Sequence, residues 1–203
     1  MNLPQKVSAS QISHNESDYF EKVLMKPSFL NKETAAAVDR GTAHHKFLQY
    51  CDFSNAKESF DIEIERLKKL GLLTDEQTEL IDREKMRNLL NSELVQRIIN
   101  STLVLREEQF SAKLKPSQVF DEYENVDTDA EIIVQGAVDV AFEENGSLII
   151  VDYKTDRVKD VSKLAVLYKK QLELYRLAME QSTEMTVSEC IICSVHLGEY
   201  IKI

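Results

Sequence analysis

Asp139, Asp152 and Lys154 are the residues of this 203-residue chain whose types and spacing most directly imply chemistry. They flank Glu144-Asn145-Gly146-Ser147, within the segment QGAVDVAFEENGSLIIVDYKTDR from Gln135 to Arg157. Asn-Gly favours a two-residue type I′ turn, in which both central residues take positive φ. With Glu144 facing Ser147, counting outward sets Asp139 opposite Asp152. Directly opposed side chains have Cβ atoms about 4.5–5.5 Å apart. Lys154, two residues beyond Asp152, points to the same face. Opposed carboxylates repel, and two sharing a site drive one pKa upward. The apolar neighbours Val138, Val140, Ile149, Ile150 and Val151 argue against free solvation. A bound divalent cation would resolve the conflict, since hard oxygen ligands suit Mg²⁺ or Mn²⁺. The plainer alternative is an exposed ladder in which Lys154 screens two aspartates.

Other polar side chains imply less when taken singly. His45 follows Gly41 by four residues on a helix expected over Thr34–Asp52. A lone histidine there is ordinarily packed or surface-exposed, and His44 has no better claim. Glu107 lies in an alternating segment, Thr102–Lys113, with Leu103, Leu105 and Gln109 on its side of the strand. Glutamate on a strand usually faces solvent. Gln171 and Tyr175 are i, i+4 neighbours, so both tips project from one helical face. On that spacing alone Tyr175 is core, its hydroxyl satisfied by Gln171. Lys159, Lys163, Lys169 and Lys170 form the most basic region, suited to phosphates or simply solvated.

The elements that must position these groups follow from hydrophobic periodicity. Lys6–Ser10 reads as extended, and Ser17–Lys26 as weakly helical up to Pro27. The Thr34–Asp52 helix has Gly41 near its effective start and would bury Ala43, Phe47, Tyr50 and Cys51. Residues 55–100 read as three helices. Phe60, Ile64, Leu67 and Leu70 form one stripe, closed by Gly71; Thr74 and Gln77 fit a capping box. The third spans Ser92–Asn100. After the strand, Lys115-Pro116-Ser117 breaks the pattern, and Phe120–Asp129 is an acidic connector. A long helix, Val158–Ser182, would bury Leu164, Leu167, Tyr168, Leu172, Tyr175 and Ala178. Strands over Thr186–Val195 and Glu199–Ile203 complete the sheet. The expectation is one α/β domain over 1–203, with residues 1–100 mainly helical and 101–203 a mixed-sheet core.

Composition limits the function. A net charge of -10 with 43% apolar residues excludes a disordered class and argues against delocalised affinity for nucleic acid. Nucleic-acid binding would have to be local, metal-mediated or supplied by attached domains. No apolar run is long enough for a bilayer, so no membrane partner is expected, and Met1-Asn2-Leu3-Pro4 does not begin a secretory signal. Three cysteines, an odd number, suggest buried thiols in a reducing cytoplasm. Cys51, Cys190 and Cys193 cannot make a four-cysteine site, so no iron–sulfur cluster is expected.

Taken together, the motifs form an ordered set. They are Gly41-Thr42-Ala43-His44-His45, Arg106-Glu107-x-x-Phe110, Gly136-x-x-Asp139, Asp152-Tyr153-Lys154-Thr155 and Gln171-x-x-x-Tyr175. The set resembles the RecB-type nuclease family, a branch of the PD-(D/E)xK superfamily. Its order and spacing are most similar to the C-terminal nuclease domains of the AddA (RexA) family of bacterial helicase–nucleases. The resemblance implies a restriction-endonuclease-like core, a mixed central sheet flanked by helices, with an N-terminal helical lobe. It implies that His45, Asp139, Asp152 and the backbone carbonyl of Tyr153 ligate Mg²⁺ or Mn²⁺, and that Lys154 is the catalytic lysine. Gln171 and Tyr175 would be a supporting pair near DNA, and Glu107 an accessory acid. The position before Phe110, proline in the family, is Gln109 here. The resemblance also implies hydrolysis of single-stranded DNA or DNA ends during helicase-coupled break processing and recombination. The partners would be the helicase domains of a longer parent chain and a second nuclease subunit. ATP would act only through that motor, because this chain has no Walker A sequence. Two alternatives remain: an inactive nuclease-like module recognising DNA ends or a partner, and a stand-alone, oligomeric, structure-specific endonuclease.

Overall fold

In the computed structural model, which describes residues 3–15, 32–126 and 128–203, Asn145 and Gly146 take φ of 55° and 81°. That is the type I′ combination. The turn joins β3 (Ile132–Glu144) to β4 (Ser147–Lys154), and Glu144 pairs with Ser147 as the dipeptide requires.

In chain order the described residues form β1 (Lys6–Ser8), α1 (Ala9–Asn15) and α2 (Lys32–Tyr50). Five short helices follow: α3 (Phe53–Glu58), α4 (Phe60–Lys69), α5 (Asp75–Leu80), α6 (Arg83–Leu90) and α7 (Glu93–Asn100). Then come β2 (Val104–Leu114), α8 (Pro116–Val119), β3, β4, α9 (Ser162–Thr183), β5 (Val187–Ser194) and β6 (Glu199–Lys202). The expected helix over Ser17–Lys26, and Pro27, lie outside the described residues.

β3 is the axis of a mixed sheet. β2 pairs with it antiparallel along one edge, from Val104↔Phe142 to Leu114↔Ile132. The other edge is shared. β1 runs parallel to its first half at Lys6↔Ile133 to Ser8↔Gln135, and β4 antiparallel to its second half at Val140↔Val151 to Glu144↔Ser147. Beyond β4 lie parallel β5 and antiparallel β6. β4–α9–β5 is thus a crossover between parallel strands, which requires a helix-length connection.

The sheet separates two apolar cores. On one face, Val140, Phe142, Ile149, Val151, Tyr153 and Ile191 pack under the helices that contribute Phe47, Leu67, Met86, Leu94 and Ile98. On the other, Val134, Val138, Ala141, Leu148 and Ile150 meet Leu164, Leu172, Tyr175 and Met179 of α9, with Ala9 and Ile12 of α1. Each fully buried Leu, Ile or Phe of these layers contributes about 1.5–3 kcal/mol of transfer free energy. The result is a mixed sheet flanked by helices, with a helical lobe built from α2 to α7.

Several boundaries differ from the expectation for local reasons. The expected extended start closes at Ser8, and helix begins at Ala9. Residues 55–100 break into shorter pieces because side-chain caps restart the helix: Asp52, Thr74, Asp82 and Ser92 each accept from a backbone N–H three residues on. The Thr74–Gln77 capping box is present. Gly41 lies inside α2 rather than near its start. α9 begins at Ser162, not Val158. Tyr50 (39% exposed), Leu70 (59%) and Leu167 (41%) lie outside the stripes expected to bury them. All three cysteines are buried free thiols.

Candidate metal centre

The β3–β4 ladder stops one pair short of the two aspartates. Its last pair is Val140↔Val151, and beyond it Asp139 makes a side-chain contact in place of a ladder partner. The backbone N–H of Tyr153 donates to Asp139 Oδ2 at 2.7 Å. Asp139 and Asp152 therefore lie beyond the last pair of the ladder, at a fork between the two strands, and are not a regular cross-strand pair.

Glu107 enters the same place from β2. Arg106 pairs with Val140 and Glu108 with Val138, so Glu107 lies across from Asp139 but outside the ladder. Its φ of 49° is left-handed, a conformation costly for a residue with a Cβ and one that concentrates at functional sites. At this level both strands turn over. Along β3, Val134 and Val138 belong to the α9-side core, whereas Val140 and Phe142 belong to the lobe-side core. Along β2, Phe110, Ala112 and Leu114 face α9, whereas Val104 packs on the lobe side. The alternation expected for Leu103, Leu105, Glu107 and Gln109 breaks at Glu107. The turnover leaves that carboxylate half-buried against Asp139 rather than in solvent.

His45 reaches the fork from α2. A Cβ on Gly41 would lie 3.0 Å from Thr155 Oγ1, so its absence lets the helix approach the end of β4. One turn later His45 Nδ1 lies 3.5 Å from Asp139 Oδ1, and its ring meets Tyr153 edge-on at 6.4 Å. His44 has a different task. Its Nδ1 lies 2.7 Å from the Arg40 carbonyl, and its Nε2 accepts from the Asp82 N–H at 3.0 Å. His44 thereby ties α2 to the cap of α6.

The ligand atoms of His45, Glu107 and Asp139 lie within 4.8 Å of one another. Their electrostatics reflect the crowding. Burial lowers the pKa of His45, but the hydrogen bond to Asp139 and the charges of Asp139 and Asp152 outweigh it and leave the pKa raised. Burial, and then the charge of Asp139, raise Glu107.

Asp152 stands beside this trio and outside it. It is 3% exposed, with Lys154 Nζ 2.7 Å from its Oδ2. Burial raises its pKa against the opposing pull of Lys154. Lys154 also donates to Gln171 Oε1 at 3.1 Å and lies 4.0 Å over the Tyr168 ring. Gln171 Nε2 donates in turn to the Tyr175 hydroxyl at 2.5 Å. Asp152, Lys154, Gln171 and Tyr175 thus form one continuous chain on the α9 face. Tyr153 contributes its N–H to Asp139, while its ring hydroxyl is buried with no hydrogen-bond partner among the described residues.

Two contacts have no counterpart in the expectations from sequence. Phe110 meets Tyr175 edge-on at 5.5 Å, and a Cβ on Gly136 would lie 2.7 Å from the Phe110 ring. Arg106 donates to the carbonyls of Leu48, Gln49 and Cys51 at the end of α2 and stacks 4.2 Å over Phe53. Both residues belong to Arg106-Glu107-x-x-Phe110, so the motif marked them without revealing what they touch.

Comparison with known proteins agrees with this fold. The family model for the PD-(D/E)XK nuclease superfamily matches residues 18–198. An ATP-dependent helicase/nuclease subunit from Clostridium botulinum (strain 657 / Type Ba4) is 33% identical over 214 residues, covering 99% of this chain and 17% of that protein. The protein of the same description from Clostridium acetobutylicum (strain ATCC 824) is 28% identical over 218 residues, with the same coverage. The chain therefore spans about a sixth of the length of these relatives. Among solved structures, a crystal structure of SSO0001 aligns at TM-score 0.40 and 9% identity, covering 100% of this chain and 68% of that one. By the match over 18–198, the chain belongs to the PD-(D/E)XK nuclease superfamily.

Proposed function

We propose that residues 1–203 act as the nuclease domain of a longer helicase–nuclease and hydrolyse DNA phosphodiester bonds with a divalent cation. The observation that carries this reading is the trio His45, Glu107 and Asp139, within 4.8 Å of one another beside the Asp152–Lys154 pair. The two carboxylates suit Mg²⁺ or Mn²⁺, and the imidazole, a ligand of softer divalent metals, favours Mn²⁺ of the two. His45, Glu107 and Asp139 would hold the ion, with Asp152 and the Tyr153 carbonyl as the further ligands the family pattern implies. When bound, such an ion supplies positive charge for the scissile phosphate and acidifies the attacking water.

The chain's own groups account for the remaining work. Lys154, fixed by Asp152, Gln171 and the Tyr168 ring, can orient the water or stabilise charge developing on the phosphate oxygens. Because its position is set beforehand, little reorganisation is needed during the reaction. Tyr175 and Gln171 keep that ammonium in register. The substrate is single-stranded DNA or its ends, delivered by the helicase portion of the parent chain, during double-strand break processing and recombination. A second nuclease subunit is the expected partner, and the buried thiols suit the reducing cytoplasm.

Digestion of end-labelled single- and double-stranded oligonucleotides tests the proposal. Cleavage with Mg²⁺ or Mn²⁺ and none in EDTA is expected; cleavage that ignores EDTA contradicts it. One observation favours a second reading, a recognition module without turnover: Asp152 engages Lys154 rather than the trio. DNA binding without cleavage in Mn²⁺ selects that alternative.

A further inference from the structure

Three basic side chains lie toward the end of β4. Lys85, on the first turn of α6, places its Nζ 2.9 Å from His196 Nδ1. His196 follows Val195, whose N–H donates to the Lys154 carbonyl at 2.9 Å. Arg157 lies three residues beyond Lys154, is exposed and, among the described residues, forms no ion pair. The charges of Lys85 and Arg157 both reach the His196 ring. α6 is tied to the metal-centre helix through the Asp82 N–H, which His44 accepts. The cluster thus lies at the end of the β4–β5 pair from which Lys154 also projects.

The hydrogen bonding gives this cluster a direction. An ammonium only donates, so Nδ1 of His196 must accept, and the ring proton then resides on Nε2. The cluster therefore presents an ammonium, a guanidinium and a half-buried imidazole N–H, all donors. The nearby carboxylates are partly occupied. Asp82 Oδ1 accepts from the Lys85 N–H at 3.2 Å, and its Oδ2 lies 3.4 Å from Lys85 Nζ. Asp156 Oδ2 accepts from the Tyr168 hydroxyl at 3.2 Å. A chain of net charge -10 cannot hold a polyanion through its overall field. Its affinity must come from a few localised contacts.

We infer that Lys85, His196 and Arg157 form a subsite for backbone phosphate of a single nucleic-acid strand, next to the bond placed in the fork. The inference rests on the nuclease reading for its ligand and extends it with residues outside the motif set. Lys85 and Arg157 neutralise the phosphate charge, and His196 Nε2–H donates to a phosphate oxygen. The contacts carry no base information, so the grip is independent of sequence. It sets which phosphodiester enters the fork.

The test is fluorescence anisotropy with an end-labelled oligo(dT) strand in Ca²⁺, over a series of NaCl concentrations. The chain is compared with Arg157→Gln, Lys85→Gln and a control, Lys202→Gln, whose ammonium pairs with Glu189 on β5. Each single-strand phosphate neutralised contributes about 0.7 to the slope of log affinity against log salt. Arg157→Gln and Lys85→Gln are each expected to reduce that slope by about this amount and weaken binding several-fold, leaving the melting temperature near that of the parent. Lys202→Gln should match the parent. The inference is overturned if the strand does not bind, or if both variants keep the parent's affinity and slope. Cleavage by the parent in Mg²⁺ or Mn²⁺ is scored separately. Cleavage with unchanged binding in the variants refutes the subsite alone, and cation-dependent binding without cleavage refutes the nuclease reading alone.

Discussion

The N–H of Tyr153 donates to the carboxylate of Asp139 at 2.7 Å, where the β3–β4 ladder has just ended. One aspartate thus holds two jobs. It caps a backbone group left over by the splayed strands, and it belongs to the trio with His45 and Glu107. The two jobs separate by substitution. Asp139→Asn keeps an oxygen acceptor and should melt close to the parent while losing cleavage by two orders of magnitude or more. Asp139→Ala loses both, and the orphaned N–H adds a stability loss of about 1–3 kcal/mol. Thermal unfolding and initial rates on labelled DNA measure the two effects.

Gly136 sits under the far end of the lysine network. A methyl group there would meet the Phe110 ring at 2.7 Å, and that ring abuts Tyr175. Gly136→Ala should cost about 1–3 kcal/mol through overpacking and should lower kcat by displacing Tyr175, Gln171 and Lys154 in turn. Adding Phe110→Leu relieves the clash and should recover part of both losses. Additive losses in the double variant would contradict the relay.

Lys154→Met should be more destabilising at pH 8 than at pH 5. Burial already raises the Asp152 pKa, and Lys154 opposes that rise. A carboxyl with a raised pKa favours folding below its unfolded value and loses that contribution as pH climbs through the folded one. Without the ammonium the pKa climbs further, so the uncompensated carboxylate appears only at higher pH. Breaking a buried pair costs about 3–5 kcal/mol at most. Denaturant midpoints at the two pH values provide the comparison.

Cation binding should strengthen with pH. In the cation-free chain His45 is raised from its usual 6.5 and Glu107 from 4.5. Each contributes stability below its unfolded value that is lost as pH rises through the folded one. A cation must displace those same protons. The gain in melting temperature on adding Mn²⁺ is therefore expected to be larger at pH 8 than at pH 6. An equal or larger gain at pH 6 would contradict this assignment of ligands.

Local rules made the hairpin and the Thr74–Gln77 cap legible, because both are short-range devices with fixed backbone demands. The Gln171–Tyr175 hydrogen bond followed from i, i+4 spacing in the same way. Glu107 was harder. Strand alternation assigns it to solvent, and only the turnover of both strands at Glu107 and Asp139 brings it inward. That irregularity has no signature in a pattern of period two. His44 and His45 are adjacent in sequence, and helical periodicity gives neither a role; only the Gly41-x-x-x-His45 spacing of the family pattern singles out His45, while α6 and β3 set what surrounds each ring. The breaks among α3 to α7 were missed because the apolar stripe continues across capped junctions.

Titration of Mn²⁺ into the chain by calorimetry, beside Asp139→Asn, tests the central claim most directly. The account predicts saturable binding to the parent that the substitution weakens at least tenfold without changing the fold. Equal affinity in the two proteins would mean that the fork is not where the cation sits.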